Sequence, residues 1–218
     1  MCEFIKETIT FLSSWNWAEV IKGIVSIWVA MIATLALETW KRQSKAQKQT
    51  DFMDEITKSV HEFIDLMAAP TEMVKYVKIG IESYAGLPEL DQSLGNPEAV
   101  AYIQKQGQED AKRLYEYLKP CTQPLSKIRS LVAKGQVFGF KNYDECQNAC
   151  AMITWQYERI QALCYIIGSG SLNWRNPEVQ KSLSKVISLD SGDIEKQIKE
   201  QHVKFLIFIK DNYKAIYK

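Results

Sequence analysis

Apolar positions along this chain follow two regimes. From Val20 to Leu37 they run on without a period, broken by a single charge, Lys22. From Phe52 onward they recur every three or four residues, through Ile56, Val60, Phe63 and Met67. A helix apolar on all sides belongs in lipid or in a deep core, whereas a helix with one apolar stripe lies against a core. No glycine or proline falls between Gly23 and Pro70. The pattern therefore predicts one continuous helix from about Trp17 to Ala69, half of it a membrane span and half a stalk.

Shorter helical patterns follow. Val74, Val77 and Ile81 mark a helix from Thr71 to Tyr84, ended by Gly86-Leu87-Pro88. Asn96-Pro97-Glu98 combines a capping residue, a proline at the first helical position and an acid in the first turn. The helix it starts should reach Lys119, before Pro120, and a shorter one should cover Pro124 to Lys134. Cys146, Cys150, Ile153, Tyr157, Ile160, Cys164 and Ile167 give the cleanest stripe, from Asn142 to Ile167. Asn176-Pro177-Glu178 repeats the earlier start signal, and the last helix runs from about Gly192 to Tyr217. Strand alternation is absent, and Val137 to Phe140 reads as an aromatic loop. The expected fold is all-α: an extracytoplasmic segment 1–16, a transmembrane helix 17–40, a stalk 41–69 and a multi-helix cytosolic domain 70–218.

The flanks of the apolar run fix its environment. Eighteen residues, Val20 to Leu37, rise by roughly 27 Å as a helix, close to the thickness of a bilayer core. Trp15 and Trp17 precede the run and Trp40 follows it, as in an aromatic belt. Asn16, three residues before Glu19, is placed to cap the start. Lys41, Arg42, Lys45 and Lys48 follow, against Lys6 and Lys22 on the other side. That asymmetry puts the N-terminus outside and the C-terminal domain in the cytosol of a bacterial inner-membrane protein. A cleaved signal peptide would carry its charges before the apolar run. Phe4, Ile5, Ile9 and Leu12 share a face suited to lying on the outer interface.

Charge narrows the partners. Residues 1–40 hold two basic and four acidic side chains, and the remainder holds 25 against 22. Direct binding of double-stranded nucleic acid is not expected from so mild a balance. Five cysteines suggest no disulfide framework. Cys146 and Cys150 share a helical face, but so do Ile153, Tyr157 and Ile160, and no second pair completes a metal set. No metal or cofactor is expected. There is no nucleophile elbow, no phosphate loop and no dinucleotide fingerprint. None of Arg42, Arg113, Arg129, Arg159 or Arg175 is followed four to six residues later by histidine, which excludes the HEPN ribonuclease pattern. No catalytic residue is assigned and a non-enzymatic protein is expected.

Two loops have the residues to hold an anion. Ser169 and Ser171 lead from a Gly-Ser turn through Arg175 into a helix start. Lys127, Arg129 and Lys141, with Lys134, surround the Phe138–Phe140 loop, mixing charge with aromatic faces. In the span, Ser26, Ala30 and Thr34 fall four residues apart and lead to Glu38, a small-residue face suited to self-association in lipid.

The outer N-terminus, single span, basic "TWKRQSKAQKQ" foot and cytosolic helical domain together resemble small single-pass membrane proteins of bacteria. Some of these act in phage defence as membrane effectors of retron, CRISPR or cyclic-oligonucleotide systems. The resemblance implies a homo-oligomer whose cytosolic part senses a protein or nucleotide signal and whose spans then perturb the membrane. The alternative is a tether that holds a cytosolic partner at the membrane.

Overall fold

The computed structural model describes residues 16–217. Phe4, Ile5, Ile9, Leu12 and Trp15 lie outside the described residues, and the expectations placed on them with them. Among the described residues every regular element is helical. The chain divides into two compact units, residues 1–48 and 49–218.

Helix α1 is Trp17–Glu82, and the carbonyl of Asn16 accepts the Glu19 and Val20 amides at its start. Within the first unit its side chains from Ile21 to Trp40 are all exposed, including Ile27 (65%) and Ile32 (60%). This segment is long and apolar enough to cross a membrane. Its hydroxyls are satisfied within the helix. Ser26, Thr34 and Thr39 each donate to the carbonyl four residues back, at 2.8 Å. That bond removes the cost of carrying a hydroxyl into hydrocarbon.

The second unit begins inside α1. Phe52, Met53, Ile56, Val60, Phe63 and Met67 are buried, the last at 1% exposure. The expected stalk over 41–69 is thus built into the folded unit from Gln49 onward, because its apolar stripe finds partners there. The break expected at Pro70 does not occur either, and α1 continues to Glu82. An internal proline costs a helix about 3 kcal/mol. Burial of Met67, Met73, Val74 and Val77 on both sides of it offsets that, at about 1.5–3 kcal/mol for each fully buried side chain. The helix then ends ahead of Gly86, whose φ of 78° is open to glycine and strained for other residues.

Five helices follow the Gly86 loop into the core: α2 Pro97–Tyr102, α3 Gln108–Leu118, α4 Thr122–Gly135, α5 Tyr143–Ile167 and α6 Pro177–Ile187; α7 Ser191–Ile216 closes the unit. Helix α5 is central, packing on α3, α4, α6 and most extensively on α7. That explains its long apolar stripe: neighbours approach it from several sides. A π-helical turn, Ile103–Gly107, joins α2 to α3. Ala99, Ile103, Gly107 and Ala111 are all buried and four residues apart. On an α-helix each such step drifts by about 40° around the axis. The wider turn takes up the drift and keeps these positions facing the core. Gly107 is required there, since a Cβ would stand 2.3 Å from the Ile167 carbonyl oxygen.

The two Asn-Pro-Glu signals are used differently. Asn176 caps α6 by accepting the Glu178 amide at 2.9 Å. Asn96 occupies the same position before α2 but donates its amide to Ser184 Oγ at 2.9 Å. Asp190 caps α7 through the Asp193 amide at 3.0 Å and pairs with Lys78 of α1 at 3.3 Å.

Candidate functional site

Two of the basic residues near the aromatic loop meet acidic partners, and a third is held by its backbone. Lys127 of α4 pairs with Glu55 of α1 at 3.1 Å. Arg129 pairs with Glu158 of α5. The backbone of Lys141 is clamped by Asn212 of α7, whose side chain accepts its amide at 3.0 Å and donates to its carbonyl at 3.1 Å. The aromatic faces are engaged as well. Phe138 and Phe140 lie 5.1 and 5.3 Å from the Phe52 ring, and Phe140 also meets Phe208 edge-on at 6.0 Å. Gln49 donates to the Phe138 carbonyl at 2.9 Å. The loop therefore ties α1 to α7, with its charges arranged around the outside.

Arg129 and Glu158 also flank an apolar cleft of about 620 Å³ between α4 and α5, where Ile128, Val132, Met152 and Trp155 supply the walls. Arg159 lies over the Trp155 ring, 5.0 Å from its centre, and pairs with Asp193 at 3.2 Å.

The Gly-Ser turn is organised around its own backbone. Ser169 donates to the Tyr165 carbonyl at 2.7 Å, Ser171 is exposed, and Trp174 is buried with its indole donating to the Gly170 carbonyl at 3.3 Å. Arg175, 80% exposed, reaches across to Asp91 at 3.4 Å. Ser93 bonds the same carboxylate twice and, with Arg175, holds it below the usual aspartate range. An anion entering here must compete with Asp91 for Arg175 and with Asn176 for the start of α6.

The four cysteines among the described residues sit in the core. Cys121, Cys146, Cys150 and Cys164 are buried and reduced. Burial pushes the Cys121 thiol up to about 11 and raises Cys164 as well. A hydrogen bond with Cys146, then burial, raises Cys150. Thiols raised in this way are poor nucleophiles and poor ligands at neutral pH. Among the described residues no three His, Cys, Asp or Glu side chains gather in a metal-binding group.

The two histidines, 141 positions apart in the sequence, meet between α1 and α7. His61 and His202 stand edge to face with ring centres 4.9 Å apart. Nothing in the local sequence around either residue signals this pairing, because it depends on how two distant helices pack. Ser26, Ala30, Thr34 and Glu38 are exposed along α1 in the first unit. No family model matches this chain, and no curated protein and no solved structure matches it.

Proposed function

We propose that the chain is a non-enzymatic effector anchored in the bacterial inner membrane, N-terminus outside, acting in antiviral defence. A cytosolic signal or protein partner engages the helical unit. The change is passed along α1 to spans clustered through Ser26, Ala30, Thr34 and Glu38, and the bilayer is perturbed. One observation carries this reading: α1 runs from the apolar segment into the core without a helical break. In the proposed effector that helix is the route by which the change reaches the spans, whereas a mere anchor needs only a linker. Expression during phage challenge, followed with a membrane-potential dye and plaque counts, tests it. Collapse of the potential with reduced plaques is expected. Unchanged potential and unchanged plaques would sink it.

A second reading, a tether for a cytosolic partner, draws support from two features. The span hydroxyls of Ser26 and Thr34 are bonded within their own helix and do not need a neighbour. Val203, Leu206 and Ile207 on α7 are exposed apolar residues that a partner protein can cover. Replacing residues 1–40 with an unrelated single-pass anchor separates the readings. A tether keeps its function after the exchange, and the proposed effector loses it.

A further inference from the structure

Helices α1 and α7 leave a groove of about 640 Å³ between residues 64–72 of one and 195–202 of the other. Ile64, Met67, Ala68 and Ile198 make its lining apolar. Its size is that of pockets that hold drug-sized molecules. Two polar atoms interrupt the apolar wall. Thr71 Oγ1 and His202 Nε2 are both buried and neither has a hydrogen-bond partner. Thr71 is only 2% exposed. Folded chains rarely leave such groups unpaired, so both call for a partner that the protein itself does not supply.

The Thr71 hydroxyl differs from others on its helix. Ser26, Thr34 and Thr39 on the same helix turn back to the carbonyl four residues earlier. Thr71 makes no such bond. Pro70 precedes it and has no N–H to give the Leu66 carbonyl. The hydrogen bonding of α1 is therefore incomplete where the groove opens. The opposite wall carries His202, with His61 and Asp65 of α1 beside it. Glu72, Glu195 and Lys199 also line the groove, with Glu72 paired to Lys75 at 4.0 Å, so no excess of positive charge marks it for an anion.

We infer that this groove binds a small, neutral, largely apolar molecule whose amide or hydroxyl group meets Thr71 Oγ1 and His202 Nε2. The threonine hydroxyl both donates and accepts, and a neutral imidazole nitrogen does one or the other, so an amide or hydroxyl group has the chemistry to pair with each. This holds whether or not the chain is an effector.

The test uses the full chain in lipid nanodiscs and a neutral benzamide carrying a photoreactive diazirine, with labelled residues mapped by mass spectrometry. Labelling is expected to concentrate in residues 64–72 and 195–202. Ala68 is exposed, so Ala68→Trp fills the groove from its edge and should cut labelling about tenfold, the loss of roughly one decade of affinity. Thr71→Val keeps the shape and removes the unpaired hydroxyl. It should melt at a higher temperature without probe and lose labelling as well. Labelling spread according to surface exposure, labelling unmoved by both substitutions, or a lower melting temperature for Thr71→Val would each overturn the inference.

Discussion

The two halves of α1 obey opposite rules. Between Ile21 and Trp40 every side chain is exposed and the apolar residues cover all sides. Between Phe52 and Ile81 the apolar residues form a stripe and the stripe is buried. Hydroxyls of the first half are bonded within the helix, as is that of Ser59 in the second, whereas Thr71 has no such bond. One helix thus carries two solvation problems. The first half is exposed over a length that is apolar enough to cross a membrane, and the second is covered by the rest of its own chain.

The largest effect that sharpens this contrast lies in the buried half. Phe63 is fully buried and meets the Tyr157 ring at 6.5 Å. Phe63→Ala should destabilise the folded unit by about 3–5 kcal/mol. Ile27→Ala in the exposed half should leave the urea midpoint of the same unit unchanged. Equal midpoints for the two variants, followed by circular dichroism, would erase the distinction. Next in size, Ile27→Arg places a charge mid-span at a cost of about 2.5–3.5 kcal/mol for insertion. The variant should become easier to extract with carbonate than the parent while its helical unit stays folded; a parent chain that carbonate already releases from the pellet would count against a span.

The smallest effect concerns the contact between the buried half and α7. Burial, then the facing His61, pushes His202 below its ordinary value of 6.5, with Asp65 acting the other way. The unfolded chain therefore takes up its proton at a higher pH than the native chain does. Stability from this group is complete above the ordinary histidine value, declines as the pH falls through it, and levels off once native His202 is protonated. Glu195 and Lys199 flank His202 on α7, and carboxylates titrate at lower pH, so the difference between variants is the readout. Between about pH 7.5 and 5.5 the urea midpoint should drop less for His202→Gln than for the parent chain. A drop of the same size in both would exclude the assignment.

Much of this architecture is visible in local pattern. The stripe from Cys146 to Ile167, the stop before Gly86 and the Asn176 cap follow from spacing and from the chemistry of single residues. What local pattern hides are the partners. Glu55 for Lys127, Glu158 for Arg129 and Asp91 for Arg175 come from other elements, and they turn three apparently available cations into ion pairs. Phe138 and Phe140 read as an aromatic loop with faces free to stack, because two aromatics flanking a glycine have no period, yet the loop folds onto Phe52. Pro70 reads as a boundary because a proline's local cost is visible and the burial that offsets it is not.

The π-turn at Ile103–Gly107 makes the length of the chain part of its information. It amounts to one residue more than a regular helix would need. Deleting a single exposed position there, Gln104 for instance, would leave a perfectly good helix-forming sequence with nearly unchanged composition. It would also swing Pro97–Tyr102 about 100° around the axis relative to Gln108–Leu118. Homologues should accordingly vary in letters at this turn more readily than in number, so a missing residue in an alignment column here would mark a change of core packing, while substitutions at the same exposed positions would pass silently.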